Sequence, residues 1–218
     1  TREALVALAG LYARSGEREA LYEVCVARAG LACDPEERGA ALREAVEAAP
    51  DVERQIAALR RLTETVPAEL ALHERLAAVL ASAGRIVEQA EALERAAAHA
   101  PAARRSQLLL EAATALRGAG SAEKARALRA QAREADPSSL DALRAVTEDL
   151  REAGEPAALA RALAELASLS TDPAEAAQAR LECARALEAA GAPEATGAWE
   201  AIVSAGSAAP GFAEACER

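Results

Sequence analysis

Two histidines, His73 and His99, and four cysteines, Cys25, Cys33, Cys183 and Cys216, are the side chains of this 218-residue sequence best suited to nucleophilic, acid–base or metal chemistry. Their spacing supports none of these. No Cys-x-x-Cys pair occurs and no histidine neighbours a cysteine, so the ligand spacing of a zinc site is missing. There is no His-Glu-x-x-His and no Gly-x-Ser-x-Gly run, and the closest-spaced glycines, Gly118 and Gly120, end a helix instead of opening one after a strand, as a phosphate-cradling loop requires. His99, two residues before Pro101, reads as a helix C-terminal residue facing the dipole, and His73 as a packing residue in the first turn of its helix. Cys25 and Cys183 fall on apolar stripes and read as small buried fillers, Cys33 falls in a turn, and all four read as free thiols of a reducing compartment. The 35 acidic residues recur with the helix surface and not as an isolated facing pair, which leaves general acid–base catalysis without a motif. A non-enzymatic chain is expected, with no cofactor and no bound metal.

The elements that would position these groups are helices. Ala accounts for 65 residues and aromatic residues for four, so the core must come from helices approaching through small side chains. Ala, Leu, Glu and Arg favour helix, and β-branched residues are too scattered for a sheet, which makes the expected class all-α. A net charge of −10 and the shortage of stacking aromatics oppose binding to nucleic acid. No run approaches the ~18 apolar residues of a membrane span. The longest candidate, Ala201 to Ala213, is interrupted by Gly206, Pro210 and Gly211, and no direct membrane insertion is expected. With no Met and no basic, hydrophobic leader at Thr1, the sequence reads as a piece of a longer polypeptide, cytoplasmic unless a signal peptide has been removed. Lys124 is the one lysine beside 24 arginines, and with the Ala excess this suggests coding in a GC-rich, bacterial genome.

Turn signals recur at Gly16, Pro50, Gly84, Gly120, Gly154 and Gly191, in steps of 34, 34, 36, 34 and 37 residues. A second set, Pro35, Pro67, Pro101, Pro137, Pro173 and Pro210, follows 17 to 19 residues behind the first, so each unit holds two short helices. Proline suits the first helical turn because its φ is already helical and its missing N–H would have no partner there. Asp34-Pro35-Glu36-Glu37 and Asp172-Pro173-Ala174-Glu175 read as capping boxes. Glycine in the Ala-Gly pairs at 84, 120, 154 and 191 reads as the left-handed residue that ends a helix.

This period and pattern resemble the tetratricopeptide (TPR) repeat, whose unit of about 34 residues carries W-x-x-L-G-x-x-Y in its first helix, A-x-x-x-F in its second, and then Pro. The Leu corresponds to Leu8, Leu42, Leu76, Ala112, Val146 and Cys183, and the Tyr to Tyr12, Val46, Leu80, Leu116, Leu150 and Leu187, twelve positions expected to be buried. The second helices carry Leu59 and Leu62, Leu93 and Ala96, Ala125 and Ala132, and Leu159, Leu163 and Leu166, with Ala195, Trp199 and Ile202 fitting after a one-residue slip. The family's Gly is replaced by Ala9, Arg43, Ala77, Ala113, Thr147 and Ala184, and its leading Trp is absent. The resemblance implies one α–α superhelical domain over 1–218, with repeats near 2–33, 36–67, 70–101, 106–137, 140–173 and 177–210 and the start of a seventh at 211–218.

It also implies a protein-interaction scaffold that binds a peptide or protein on a concave face lined by the first helices. The alternative is a regulatory or sensor module serving a catalytic or DNA-binding domain outside this segment. On that face the register places Glu37, Glu44, Glu47, Glu74, Arg75, Arg117, Arg144, Glu148, Arg151, Glu182 and Arg185, beside Glu3, Arg14, Glu111, Asp141, Glu152 and Glu188. Acids outnumber bases there, which favours a basic or mixed-charge peptide, with the arginines offering bidentate contacts to carboxylates. The competing reading makes these charges solvated pairs within one helix, such as Arg144 with Glu148 or Glu182 with Arg185, worth ~0.3–0.5 kcal/mol each. Some TPR domains hold a C-terminal carboxylate with paired Lys and Asn residues. The corresponding places here carry Val6, Gly10, Ala40 and Glu44, so that role is not expected. The sequence leaves the partner and the oligomeric state open.

Overall fold

The computed structural model describes residues 1–206 and 210–218, so the expected sixth repeat (177–210) and the run 201–213 each include three residues, 207–209, that lie outside the described ones. Thirteen α-helices and no strands are found among the described residues. In order they are α1 (Arg2–Ser15), α2 (Arg18–Leu31), α3 (Pro35–Ala48), α4 (Val52–Thr65), α5 (Leu70–Ser82), α6 (Ile86–Ala98), α7 (Ala102–Gly118), α8 (Ala122–Ala135), α9 (Leu140–Ala153), α10 (Pro156–Leu169), α11 (Pro173–Ala189), α12 (Ala195–Ser204) and α13 (Phe212–Glu217). Short turns force neighbours into antiparallel hairpins, and successive helices pack on one another from α1 to α7 and again from α9 to α13, so that first and second helices alternate within each run.

The ends of the helices are written locally. Gly16, Gly84, Gly120, Gly154 and Gly191 all take φ between 64° and 80°, a region costly for residues with a Cβ. Asp34 and Asp51 accept the N–H of the third residue after them, and Ser139 does the same for Ala142. Only half of each expected capping box forms. Asp34 and Asp172 cap their helices, but Glu37 and Glu175 do not reach back to the cap; they turn outward to Arg2 and Arg144 on neighbouring first helices. Proline occupies the first turn at Pro35 and Pro173, as expected, whereas Pro67 and Pro137 stand in turns ahead of α5 and α9, and Pro101 is the N-cap of α7.

The chain divides into two compact units, Thr1–Ala125 and Arg126–Arg218, with the division inside α8. In the first, Leu42, Ile56, Leu59, Leu62, Leu76, Leu80 and Leu108 are fully buried, and alanines such as Ala45, Ala58, Ala96 and Ala112 let the helices approach closely. In the second, Leu143, Leu163 and Leu166 pack with Cys183, and a further cluster joins Leu181, Trp199, Ile202 and Ala215. Each fully buried Leu or Ile contributes about 1.5–3 kcal/mol. The twelve motif positions are not uniformly buried. Leu8 is 36% exposed while its repeat equivalent Leu42 is 1% exposed, because α3 packs on both α2 and α4 whereas α1 packs chiefly on α2. Tyr12, Val146, Leu150 and Leu187 are half-buried.

Candidate functional site

A concavity of about 980 Å³ lies within the first unit. One wall is α1, which presents Val6, Ala9, Gly10 and Ala13; α3 and α5 supply Val46, Ala48, Ala71 and Leu72; Leu21 of α2 and Leu62 of α4 complete the apolar lining. Small residues make the space. At Gly10 an added Cβ would meet nothing within 4 Å, and Val6 stands 55% exposed on the same helix.

Charge rims this groove. Arg28 pairs with Glu44, Arg43 with Glu69, and Arg75 with Glu47 at 2.6 Å. The Arg75 hydrogen bond holds the Glu47 carboxyl below its usual range. Arg18, the first residue of α2, donates instead to the carbonyls of Glu47 (3.2 Å) and Ala49 (2.9 Å), where α3 ends. The lining therefore holds four arginines, Arg18, Arg28, Arg43 and Arg75, against three glutamates, Glu44, Glu47 and Glu69. The acid-rich face expected from the sequence does not describe this groove.

Of the expected site residues, Glu44, Glu47 and Arg75 line the groove. Glu37 pairs with Arg2, and Glu74 accepts from Arg104 at 2.7 Å, outside the groove lining. In the second unit Arg144 grips Glu175 through Nε and Nη2 and reaches Asp141, Arg151 pairs with Glu182 at 2.7 Å, and Arg185 pairs with Glu214. Arg144 and Ser170 together draw the Glu175 carboxyl down to about 2. Glu148 lies 3.8 Å from Arg129, and Arg117 sits in the last turn of α7. Arg144 thus has one partner 31 residues on, Glu175, and one within its own helix, Asp141, where the sequence reading had placed the helical partner at Glu148. The first helices of each unit are laced by such long-range pairs, and the second helices likewise through Glu19–Arg54, Glu53–Arg85 and Arg133–Glu165.

Sequence reasoning missed Arg18, Arg28, Arg43 and Glu69 as groove residues. Arg18 left a readable signal: the equivalent first positions of other second helices are Val52, Ile86 and Pro156, so a guanidinium there departs from the repeat. It also missed that His73 and His99 stack, with ring centroids 5.7 Å apart, and that the buried His73 places Nε2 2.9 Å from the Pro67 carbonyl. Cys25 is buried and donates to Glu44; burial, and then the Glu44 charge, push its thiol up to about 11. A thiol so protonated is a poor nucleophile at neutral pH. Cys183 is buried as expected, with its thiol pushed up by burial, and Cys33 is exposed. Among the described residues no group of three or more His, Cys, Asp or Glu could hold a metal ion. No described helix is long and apolar enough to cross a membrane.

No family model matches the chain, and no curated protein matches it. Solved structures do. A crystal structure of MamA is similar at 15% identity, covering 78% of this chain and 88% of that one, with a TM-score of 0.46. PilF of Pseudomonas aeruginosa is similar at 12% identity over 98% and 95% of the two chains, also with a TM-score of 0.46. YrrB, a TPR protein with an unusual peptide-binding site, is similar at 15% identity over 78% and 86%, with a TM-score of 0.45.

Proposed function

We propose that this chain is a protein-interaction module whose first-unit groove seats a segment of a partner protein. The observation that carries the reading is the groove itself: an open concavity of about 980 Å³ with an apolar floor, a charged rim and walls made of helices. Such a surface suits recognition, because apolar contact supplies affinity, fixed polar groups supply orientation, and helical walls limit the ordering cost on binding. Glu44, Glu47 and Arg75 are the binding residues retained from the sequence reading. Arg144, Arg151, Glu182 and Arg185 act in this reading as struts between repeats, since each already spends its charge on a neighbouring helix.

A selection from a random peptide library tests this. Gly10→Trp fills the groove from a site with room for a side chain, so helicity should persist while selected peptides lose at least tenfold in affinity. Peptides that bind Gly10→Trp as well as the unaltered chain would move the site elsewhere.

A further inference from the structure

We infer that the occupant of this groove is an acidic amphipathic helix, about two turns of which lie on the apolar floor with a carboxylate side chain against Arg18. The inference rests on the reading that the groove seats a partner segment, and it names the chemistry of that segment.

Three observations converge on it. The first is size. A helix about 10 Å across fills roughly 420 Å³ per turn, so a space of about 980 Å³ accommodates about two turns. The second is the chemistry of the walls, which are apolar and charged side chains on helices whose own backbones are internally bonded. The carbonyls of Glu47 and Ala49 are taken by Arg18. An extended peptide would leave its N–H and C=O groups unpaired against such walls, whereas a helix satisfies its own.

The third is charge. In a chain of net charge −10 this groove carries four arginines to three glutamates. Each glutamate is matched to one arginine, Arg28 to Glu44, Arg43 to Glu69 and Arg75 to Glu47. Arg18 has no carboxylate partner among the described residues: the carbonyls it caps at the end of α3 carry only partial negative charge, so the lining keeps an excess of positive charge there. A carboxylate placed there gains a charge-assisted bond without displacing an existing pair. A lysine or arginine placed there meets repulsion, or must compete for a glutamate already engaged. The apolar face of the ligand is met by Val6, Ala13 and Leu72.

The probe is an acetylated, amidated 12-residue peptide of three Glu-Leu-Leu-Ala repeats, compared with versions carrying Lys for Glu and Ser for Leu, by fluorescence anisotropy. Amidation ensures that any carboxylate engaged is a side chain. The Glu peptide should bind at least tenfold more tightly than the Lys peptide, and the Ser version should bind weakest. Arg18→Gln, which keeps a donor for the α3 carbonyls but removes the charge, should shrink the Glu-to-Lys ratio to within about threefold. Val6→Glu, at an exposed position whose change spares the core, should also weaken the Glu peptide, which keeps the test valid if Arg18→Gln loosens α2. A Lys peptide that binds as well or better, and loses affinity with Gly10→Trp, would overturn the acidic preference while leaving the groove reading intact. An unchanged ratio in both Arg18→Gln and Val6→Glu would overturn it too. Absence of binding by all three peptides at millimolar concentration would overturn the groove reading itself.

Discussion

Arg129 and Asp149 form an ion pair in which both partners are buried, at 7% and 8% exposure, with Nη1 2.8 Å from Oδ1. The pair joins α8 to α9 within the second unit, and Oδ2 of Asp149 has no hydrogen-bond partner. At an effective dielectric constant near 20, opposite charges at that distance attract by about 6 kcal/mol, which roughly offsets a desolvation penalty of several kcal/mol per ion. The net worth of the pair is therefore small, but the cost of breaking it is large. Arg129→Met strands a buried carboxylate and should destabilise by about 3–5 kcal/mol. Asp149→Leu should cost less, roughly 2 kcal/mol, because Glu148, 56% exposed and 3.8 Å from Arg129, still faces the guanidinium. The double variant should fall within about 1 kcal/mol of the unaltered chain, since two apolar side chains then replace both ions. Urea unfolding followed by circular dichroism reads this as midpoint shifts, roughly 1–2 M for Arg129→Met. The exposed pair Arg75–Glu47 serves as the control and should show no more than about 1 kcal/mol of coupling. The reasoning fails if the two single variants cost the same as the control, or if their costs simply add in the double variant.

The remaining predictions concern charge, backbone and thiols. The depressed Glu175 carboxyl, at about 2 in the fold against an ordinary value near 4.3, contributes stability that is fully present above the unfolded value and is lost as pH falls from about 4 through 2. The gap in urea midpoint between the unaltered chain and Glu175→Gln should therefore be constant above about pH 5 and close toward pH 2; a gap unchanged at pH 2.5 would refute the assignment. Gly154→Ala, at φ 68°, should lower stability by about 1–2 kcal/mol, while Gly10→Ala, inside α1 with open space around its Cβ, should raise it by about 0.5–1 kcal/mol; equal signs in thermal melts would contradict this. In a thiol-disulfide exchange assay with an aromatic disulfide, Cys33 and Cys216 should react quickly, and Cys25 and Cys183 only as the chain unfolds.

The sequence by itself determined where helices begin and end. Asp34 and Asp172 before proline, and glycine at 84, 120, 154 and 191, act on backbone groups within four residues, so their effect does not wait for the fold. The stripe of Leu42, Leu59, Leu62, Leu76 and Leu80 was legible for the same reason, since a helix places residues three and four apart on one face whatever lies opposite. Tertiary structure alone decided the partners. Glu37 and Glu175 were spelled as capping residues, yet the rotation of one first helix past the next brings Arg2 and Arg144 to them, and a charged guanidinium outcompetes a neutral backbone N–H. Leu8 and Leu42 occupy equivalent places in the repeat, but α3 is packed from both sides, by α2 and α4, and α1 chiefly by α2. The groove follows the same logic. Gly10, Leu21 and Val46 are unremarkable in their own helices and become one surface only when α1, α2 and α3 pack, because the separation and twist between helices, not the spacing along the chain, set which side chains face a common space.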